Sequence, residues 1–159
     1  MSSLTVIDSQ PRRVAAQPET FETRFRVRYA ETDQMGVVYH SNVIIWFEVG
    51  RVEMMRQLGF TYLEMEQEGG THLPVVDVRC RYKAPARYDD IVVVRTRLVN
   101  VRESLLHFAY EILRDQDGSL LAEGESVHMV VDSAFKRVPL SDKYLPMFLR
   151  AAGKIAVSG

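Results

Sequence analysis

The run SNVIIWFEVGRVEMMRQLG, Ser41 to Gly59, constrains the fold more than any other stretch, because it is the one long helix candidate in a chain that elsewhere alternates. Ser41 or Asn42 supplies a helix cap and Gly59 a stop, with a helix of about seventeen residues between them. The apolar positions Val43, Ile44, Ile45, Trp46, Phe47, Val49, Val52, Met54, Met55 and Leu58 cover more than a narrow stripe. That breadth predicts a helix enclosed on most sides.

Strand signals surround it. Before the helix, FETRFRVRY alternates Phe21, Thr23, Phe25, Val27 and Tyr29 with Glu22 and three arginines, the period of a strand with one wet face. After Gly69-Gly70, four runs are rich in β-branched and aromatic residues: HLPVVDVRCRYKAP, DDIVVVRTRLVNV, SLLHFAYEILRD and LLAEGESVHMVVD. Their connectors are short, which favours antiparallel neighbours, and Asp117-Gly118 suits a hairpin turn. Tyr62 to Gln67 reads as a short helical turn, and SDKYLPMFLRAAGK as a terminal helix that admits Pro146 only near its start. One strand, one long helix and four more strands predict an α+β domain in which a five-stranded antiparallel sheet wraps around a central helix.

With 159 residues, 47% of them hydrophobic, the chain is expected to form one domain. Residues 1–20, which carry no usable period, read as a mobile leader, 21–150 as the domain and 151–159 as a tail. A formal net charge of −1 supplies no global field for nucleic acid or an anionic membrane. The lone Cys80 excludes an intrachain disulfide, and its place in an alternating run suits a small half-buried residue. No stretch resembles a signal peptide or membrane span, so the expected location is cytoplasmic, without membrane insertion.

Polar chemistry gathers at the mouth of the long helix, in AETDQMGVVYHSN. A helix start offers unpaired N–H groups and partial positive charge, which suits a developing oxyanion. Asp33 beside it could attack a carbonyl carbon or take a proton from water. Gly36 allows close backbone approach to a ligand, and Val38 with Tyr39 would wall an acyl pocket. Taken alone, Asp33 is a common turn residue and His40 a common cap; it is their joint spacing that points to a site.

That spacing, Asp33-x-x-Gly36-Val37-Val38-Tyr39-His40-x-Asn42 with Trp46, Glu48 and Arg51 following, resembles the hot-dog-fold acyl-CoA thioesterases of the 4-hydroxybenzoyl-CoA thioesterase family, particularly the branch associated with the Tol-Pal system. The resemblance runs from about Phe25 to Tyr144. It implies hydrolysis of an acyl-CoA or acyl-carrier thioester without a metal or organic cofactor. Asp33 would be nucleophile or general base, and the backbone N–H of His40 the oxyanion donor. It further implies a homodimer or homotetramer with sites at an interface, and Gly36, Val38, Tyr39 and Asn42 at the substrate. The alternatives are a non-catalytic acyl-thioester sensor and a hot-dog acyl-CoA dehydratase.

The chain departs from the family at Val43, often tyrosine in relatives, and at the Arg102-Glu103 turn where some relatives carry a basic cluster. Arg102 remains the candidate for the phosphates of coenzyme A, while Arg79, Arg81, Lys83, Arg95 and Arg97 read as a solvated sheet face. Glu48 and Arg51, three apart on the helix, read as an internal ion pair. His72, His107 and His128 lack metal-ligand spacing, and Met54, Met55 and Met65 read as core filler. An apolar helix entry favours an aliphatic or aromatic acyl group over a dicarboxylic one, and the smaller Val43 favours medium or long chains.

Overall fold

The computed structural model describes residues 17–154. Five strands, β1 (Thr20–Arg26), β2 (Val75–Tyr82), β3 (Ile91–Arg102), β4 (Leu105–Arg114) and β5 (Leu120–Met129), join in one sheet of order β1-β3-β4-β5-β2. Every pairing is antiparallel. Three helices accompany it, α1 (His40–Leu58), α2 (Tyr62–Gln67) and α3 (Leu145–Ala151). This is the expected α+β architecture, with the long helix inserted between the first and second strands in the chain.

The core forms where the inward residues of the sheet meet one face of α1. Val92, Val94 and Leu98 of β3, and Leu106, Phe108, Tyr110 and Ile112 of β4, are buried against Trp46, Phe47, Met54 and Met55. Two glycines bring helix and sheet together. A Cβ on Gly50 would strike the Thr96 hydroxyl and stand 2.8 Å from Val94, and one on Gly124 would strike the Arg79 carbonyl and stand 2.6 Å from the Phe47 ring. Phe47 uses the room beside Gly124 to stack on Tyr110, at a centroid distance of 4.4 Å and an angle of 8°.

Several boundaries differ from the sequence reading. α1 starts at His40 with Tyr39 as its cap residue and no side-chain cap bond, so neither Ser41 nor Asn42 caps it. The helix does end at Gly59, whose φ of 107° is left-handed and whose N–H returns to the Met55 carbonyl at 3.1 Å. α1 is also less enclosed than its composition suggests. Ile44 and Ile45 remain 39% and 52% exposed, because the sheet covers only the face carrying Trp46, Phe47, Gly50 and Met54. β1 stops at Arg26, and Tyr29 turns outward in a short 3-10 turn, Tyr29–Glu31. At the N-terminal boundary, Glu19 N–H donates to the Ala151 carbonyl (2.9 Å), so packing starts before Phe21. Ala151 and Ala152 are buried and belong to the packed unit rather than to a tail. The expected leader over 1–16 and the tail over 155–159 lie outside the described residues.

A buried polar chain crosses the sheet beside α1. His128 Nδ1 lies 2.9 Å from the Leu73 carbonyl, which only accepts, so Nδ1 carries the proton and Nε2 is free to accept. Ser126 Oγ donates to that Nε2 (2.8 Å), Tyr110 O–H donates to Ser126 Oγ (2.5 Å), and Arg51 Nη1 donates to the Tyr110 oxygen (3.1 Å). Each proton has one acceptor, which a protonated His128 would break. Burial first, then the Arg51 charge, lowers the His128 pKa from 6.5 to about 4.

A depressed histidine contributes stability that is full above its unfolded pKa and is lost as pH falls toward the folded one. Stability should therefore decline between pH 6.5 and about 4, with His128 accounting for about 3 kcal/mol across the window. Urea unfolding at several pH values checks this, with His128→Gln for comparison. The wild-type protein should lose more stability than the variant over that range.

Candidate active site

The site is built by the chain's return from β1 to α1. Val27, 1% exposed, anchors the end of the strand, and the 3-10 turn then delivers Glu31 inward. Buried to 6% exposure, Glu31 is saturated with donors. Its Oε2 accepts the Trp46 indole N–H (2.7 Å), and its Oε1 accepts the Arg28 backbone N–H (2.8 Å) and Nε (3.4 Å). Its carbonyl accepts the Tyr39 N–H (2.9 Å) and the Asn42 side-chain amide (2.8 Å). Glu31 thereby fixes both ends of the loop to the first turns of α1.

Between those ends the chain makes a tight reversal. Thr32 bridges Val38, and Asp33 N–H donates to the Val37 carbonyl (2.8 Å). Gly36 sits at φ 79°, a left-handed conformation in which a side chain would be strained, and donates to the Asp33 carbonyl (3.0 Å). Asp33 Oδ1 accepts N–H bonds from Met35 (2.8 Å) and Val37 (3.4 Å), while Oδ2 has no partner among the described residues. The carboxylate is half-buried. One oxygen is thus held by its own loop and the other is left available, so the turn role does not use up the carboxylate.

The reversal sets Asp33 opposite Val37, three residues ahead of the helix N-terminus. His40 is the first residue of α1, and neither its N–H nor that of Ser41 donates to a described group. Its carbonyl accepts the Tyr82 hydroxyl of β2 (2.7 Å), which steadies that first turn. The imidazole is exposed between Tyr39, at a ring distance of 4.3 Å, and Tyr82, at 6.4 Å. Val38 N–H donates to the Ala86 carbonyl (2.8 Å), and Val37 bridges Arg87, which stitches the loop to the segment preceding β3. Beside this seam lies a cavity of ≈ 320 Å³ walled by Val37, Val38, Val43, Trp46, Ile112 and Leu121.

Six of the seven residues singled out from sequence come together here: Asp33, Gly36, Val38, Tyr39, His40 and Asn42. Asn42 uses its side chain to hold the Glu31 carbonyl, so it braces the loop. Arg102 is not among them. It ends β3, whereas the loop follows the opposite end, where Ile91 pairs with Arg26. Eleven strand steps place it roughly 35 Å away in the same chain. The expected Glu48–Arg51 ion pair is also absent: Glu48 is exposed and Arg51 turns to Tyr110. Arg79, Lys83, Arg95 and Arg97 do pair on the outer sheet face, with Asp77, Glu123, Glu22 and Glu111.

Glu31 escaped the sequence reading, although a signal was present. It continues the odd-numbered phase of Phe21, Phe25 and Val27, so a carboxylate stood where the alternation calls for burial.

A model of the thioesterase-like superfamily matches residues 27–151. The chain belongs to that superfamily. It is 42% identical over 113 residues to the putative acyl-CoA thioesterase YneP of Bacillus subtilis, covering 70% of this chain and 80% of that one. It is 33% identical over 112 residues to the acyl-CoA thioester hydrolase YbgC of Escherichia coli O157:H7, covering 70% and 82%. Among solved structures, a DHNA-CoA thioesterase from Staphylococcus aureus superposes with a TM-score of 0.76 at 35% identity, covering 85% of this chain and 89% of that one. The sheet order and inserted helix are those of its hot-dog neighbours, so this thioesterase-like chain has the hot-dog fold.

Removing the Glu31 side chain should leave the buried Trp46 N–H without an acceptor and free the Arg28 end of the loop, while the Glu31 carbonyl still holds Tyr39 and Asn42. Glu31→Ala is expected to cost about 2–4 kcal/mol in urea unfolding, more than Asn42→Ala at about 1 kcal/mol. Equal losses from the two substitutions would contradict the brace assigned to Glu31.

Proposed function

We propose that this chain hydrolyses acyl-CoA thioesters to a free acid and coenzyme A, with Asp33 as the catalytic carboxylate and the His40 N–H as the oxyanion donor. The observation that carries the reading is an Asp33 oxygen and N–H groups at the start of α1 that all lack partners among the described residues. Membership of the thioesterase-like superfamily and the activities for which YneP and YbgC are named support the reaction class. The resemblance of the loop motif favours the Tol-Pal-associated branch.

The chemistry follows from those positions. The thioester carbonyl oxygen approaches the His40 N–H, where the helix dipole and an unpaired donor stabilise the negative charge that develops on it. The Asp33 carboxylate then acts on the carbonyl carbon, either as the nucleophile or by taking a proton from the attacking water. The C–S bond breaks and coenzyme A leaves as a thiolate that takes up a proton. In the nucleophilic route, water afterwards hydrolyses the anhydride on Asp33. The reaction requires no redox change and the reading calls for no cofactor. Val38 and Val43 would hold the start of an aliphatic or aromatic acyl group in the apolar cavity beside the helix mouth.

The same reading includes a second copy of the chain. β2 is an edge strand that exposes Val75, Val76 and Val78 at 40–50%, and Ile44 of α1 is exposed as well. A long apolar edge of this kind is a pairing template, and antiparallel association of two β2 strands would continue the sheet and cover these side chains. Such a dimer would cover the helix face that one sheet leaves open, and two dimers would give the tetramer.

Thiol release from a panel of acyl-CoAs tests the reaction. Asp33→Asn should reduce kcat by at least about a thousandfold with an unchanged melting temperature, and retention of most activity would overturn the assignment. His40→Ala should cost less than about tenfold, since the donor is the main-chain amide. Saturable binding without thiol release would indicate a sensor, and hydration of crotonyl-CoA a dehydratase.

Light scattering on a sizing column tests the assembly. The chain, with its mass of 18.2 kDa, should elute as a dimer or tetramer at micromolar concentration. Val78→Asp should shift it toward the monomer, and a monomeric wild-type protein would contradict the proposed edge pairing.

A further inference from the structure

α1 packs on β1, β3 and β4, and that a groove separates it from β2 follows from what stands at the two ends of the strand. At one end of the groove the Tyr82 hydroxyl meets the His40 carbonyl (2.7 Å). At the other end, Val75 of β2 shares with Glu48, Arg51, Met55 and Tyr62 the walls of a second cavity, ≈ 230 Å³. Ser41, Ile44, Glu48 and Arg51 are spaced by three, four and three residues, so they line one helix face between the two ends. Opposite them, Val78 and Cys80 lie on the face of β2 that carries Tyr82. The groove therefore leads from the oxyanion donor to the second cavity.

The polar groups of that cavity are unusual for the end of an acyl pocket. Arg51 is half-buried, donates one N–H to Tyr110, and has no carboxylate in ion-pair distance among the described residues. Glu48 lines the same cavity and is likewise without an ion-pair partner among the described residues. His128 already has both ring nitrogens engaged, and the Tyr62 oxygen accepts the Leu73 N–H (3.0 Å). A bare methyl end would leave the half-buried Arg51 guanidinium without a further acceptor. A carboxylate would satisfy Arg51 but face Glu48. A hydroxyl is both acceptor and donor, and can take an N–H from Arg51 while giving its proton to Glu48.

Resting on the thioesterase reading above, we propose that this cavity recognises the far end of the acyl group, and that the group it takes is a terminal hydroxyl on a medium-length chain. Length follows from the helix. Arg51 lies eleven residues beyond His40, about 16 Å along the axis, and its side chain leans back toward the helix start. A single short ring attached at the thioester would not span that separation. Arg51 and Glu48 then determine specificity at a distance from the reacting carbon, and the Tyr110–Ser126–His128 chain behind Arg51 holds the guanidinium in place.

The experiment compares kcat/KM for octanoyl-CoA, ω-hydroxyoctanoyl-CoA and suberyl-CoA by thiol release, in the wild-type chain, Arg51→Met and Arg51→Lys. The ratio between substrates within one variant is independent of how much of that variant is folded. The wild type should prefer the hydroxylated chain to octanoyl by about tenfold, the usual effect of a hydrogen bond to a charged group, and should prefer it to suberyl as well. Arg51→Met should bring the hydroxyl preference to within about twofold of unity, and Arg51→Lys should restore part of it. Octanoyl hydrolysis without a hydroxyl preference, a preference that survives Arg51→Met, or a better rate with suberyl-CoA would overturn this inference and leave the thioesterase reading standing. No thiol release from any of the three would overturn the thioesterase reading and this inference with it.

Discussion

Glu31 is the joint on which the site depends. A carboxylate at 6% exposure is costly to bury unless its oxygens are filled, and here an indole N–H, a backbone N–H and an arginine fill them. The clamp locks Trp46 of α1 to the loop that leaves β1, and the Glu31 carbonyl extends the same hold to Tyr39 and Asn42. Asp33 and the start of α1 are therefore positioned by a buried polar contact between helix and loop. Because the site is a loop pinned at both ends, its carboxylate can keep one oxygen bound and one free without the loop collapsing onto the helix mouth.

The second constraint is how closely α1 approaches the sheet. Gly50 and Gly124 remove the side chains that would hold the two apart, so the helix seats deeply over β3 and β4. Deep seating on one side leaves the β2 side open. The exposed Ile44, Val75 and Val78, the groove between α1 and β2, and the cavity at its far end all follow from that asymmetry. The proposed assembly is linked to the fold in this way: a sheet that cannot surround its helix leaves a surface on which the proposed second copy would dock, with the proposed acyl chain between them.

Much of the fold was legible because period-two alternation and short connectors are local signals. All five strands, the short helix over Tyr62–Gln67 and the glycine stop of α1 follow from residues close in sequence. The loop motif was legible for a similar reason, since Asp33 through Asn42 form one continuous stretch. What escaped was set by tertiary partners. Ser41 and Asn42 have cap chemistry, but the Glu31 carbonyl recruits the Asn42 amide. Glu48 and Arg51 have ion-pair spacing, but a buried tyrosine hydroxyl at Tyr110 draws Arg51 inward. The apolar breadth of α1 was read as enclosure, whereas Ile44 and Ile45 belong to a face that one chain does not cover. The resemblance of its turn points Arg102 toward the phosphates of coenzyme A, yet strand length carries it to the other end of β3 from the loop.

The central claim is that the thioester carbonyl binds at the mouth of α1 beside Asp33. A crystal structure of Asp33→Asn with a non-hydrolysable octanoyl-CoA thioether ketone, in which the carbonyl is kept and the scissile bond is not, tests it directly. The carbonyl oxygen should lie about 3 Å from the His40 nitrogen, with the substituted side chain facing the carbonyl carbon. A carbonyl bound out of reach of the His40 N–H, with position 33 still turned into its own loop, would contradict it.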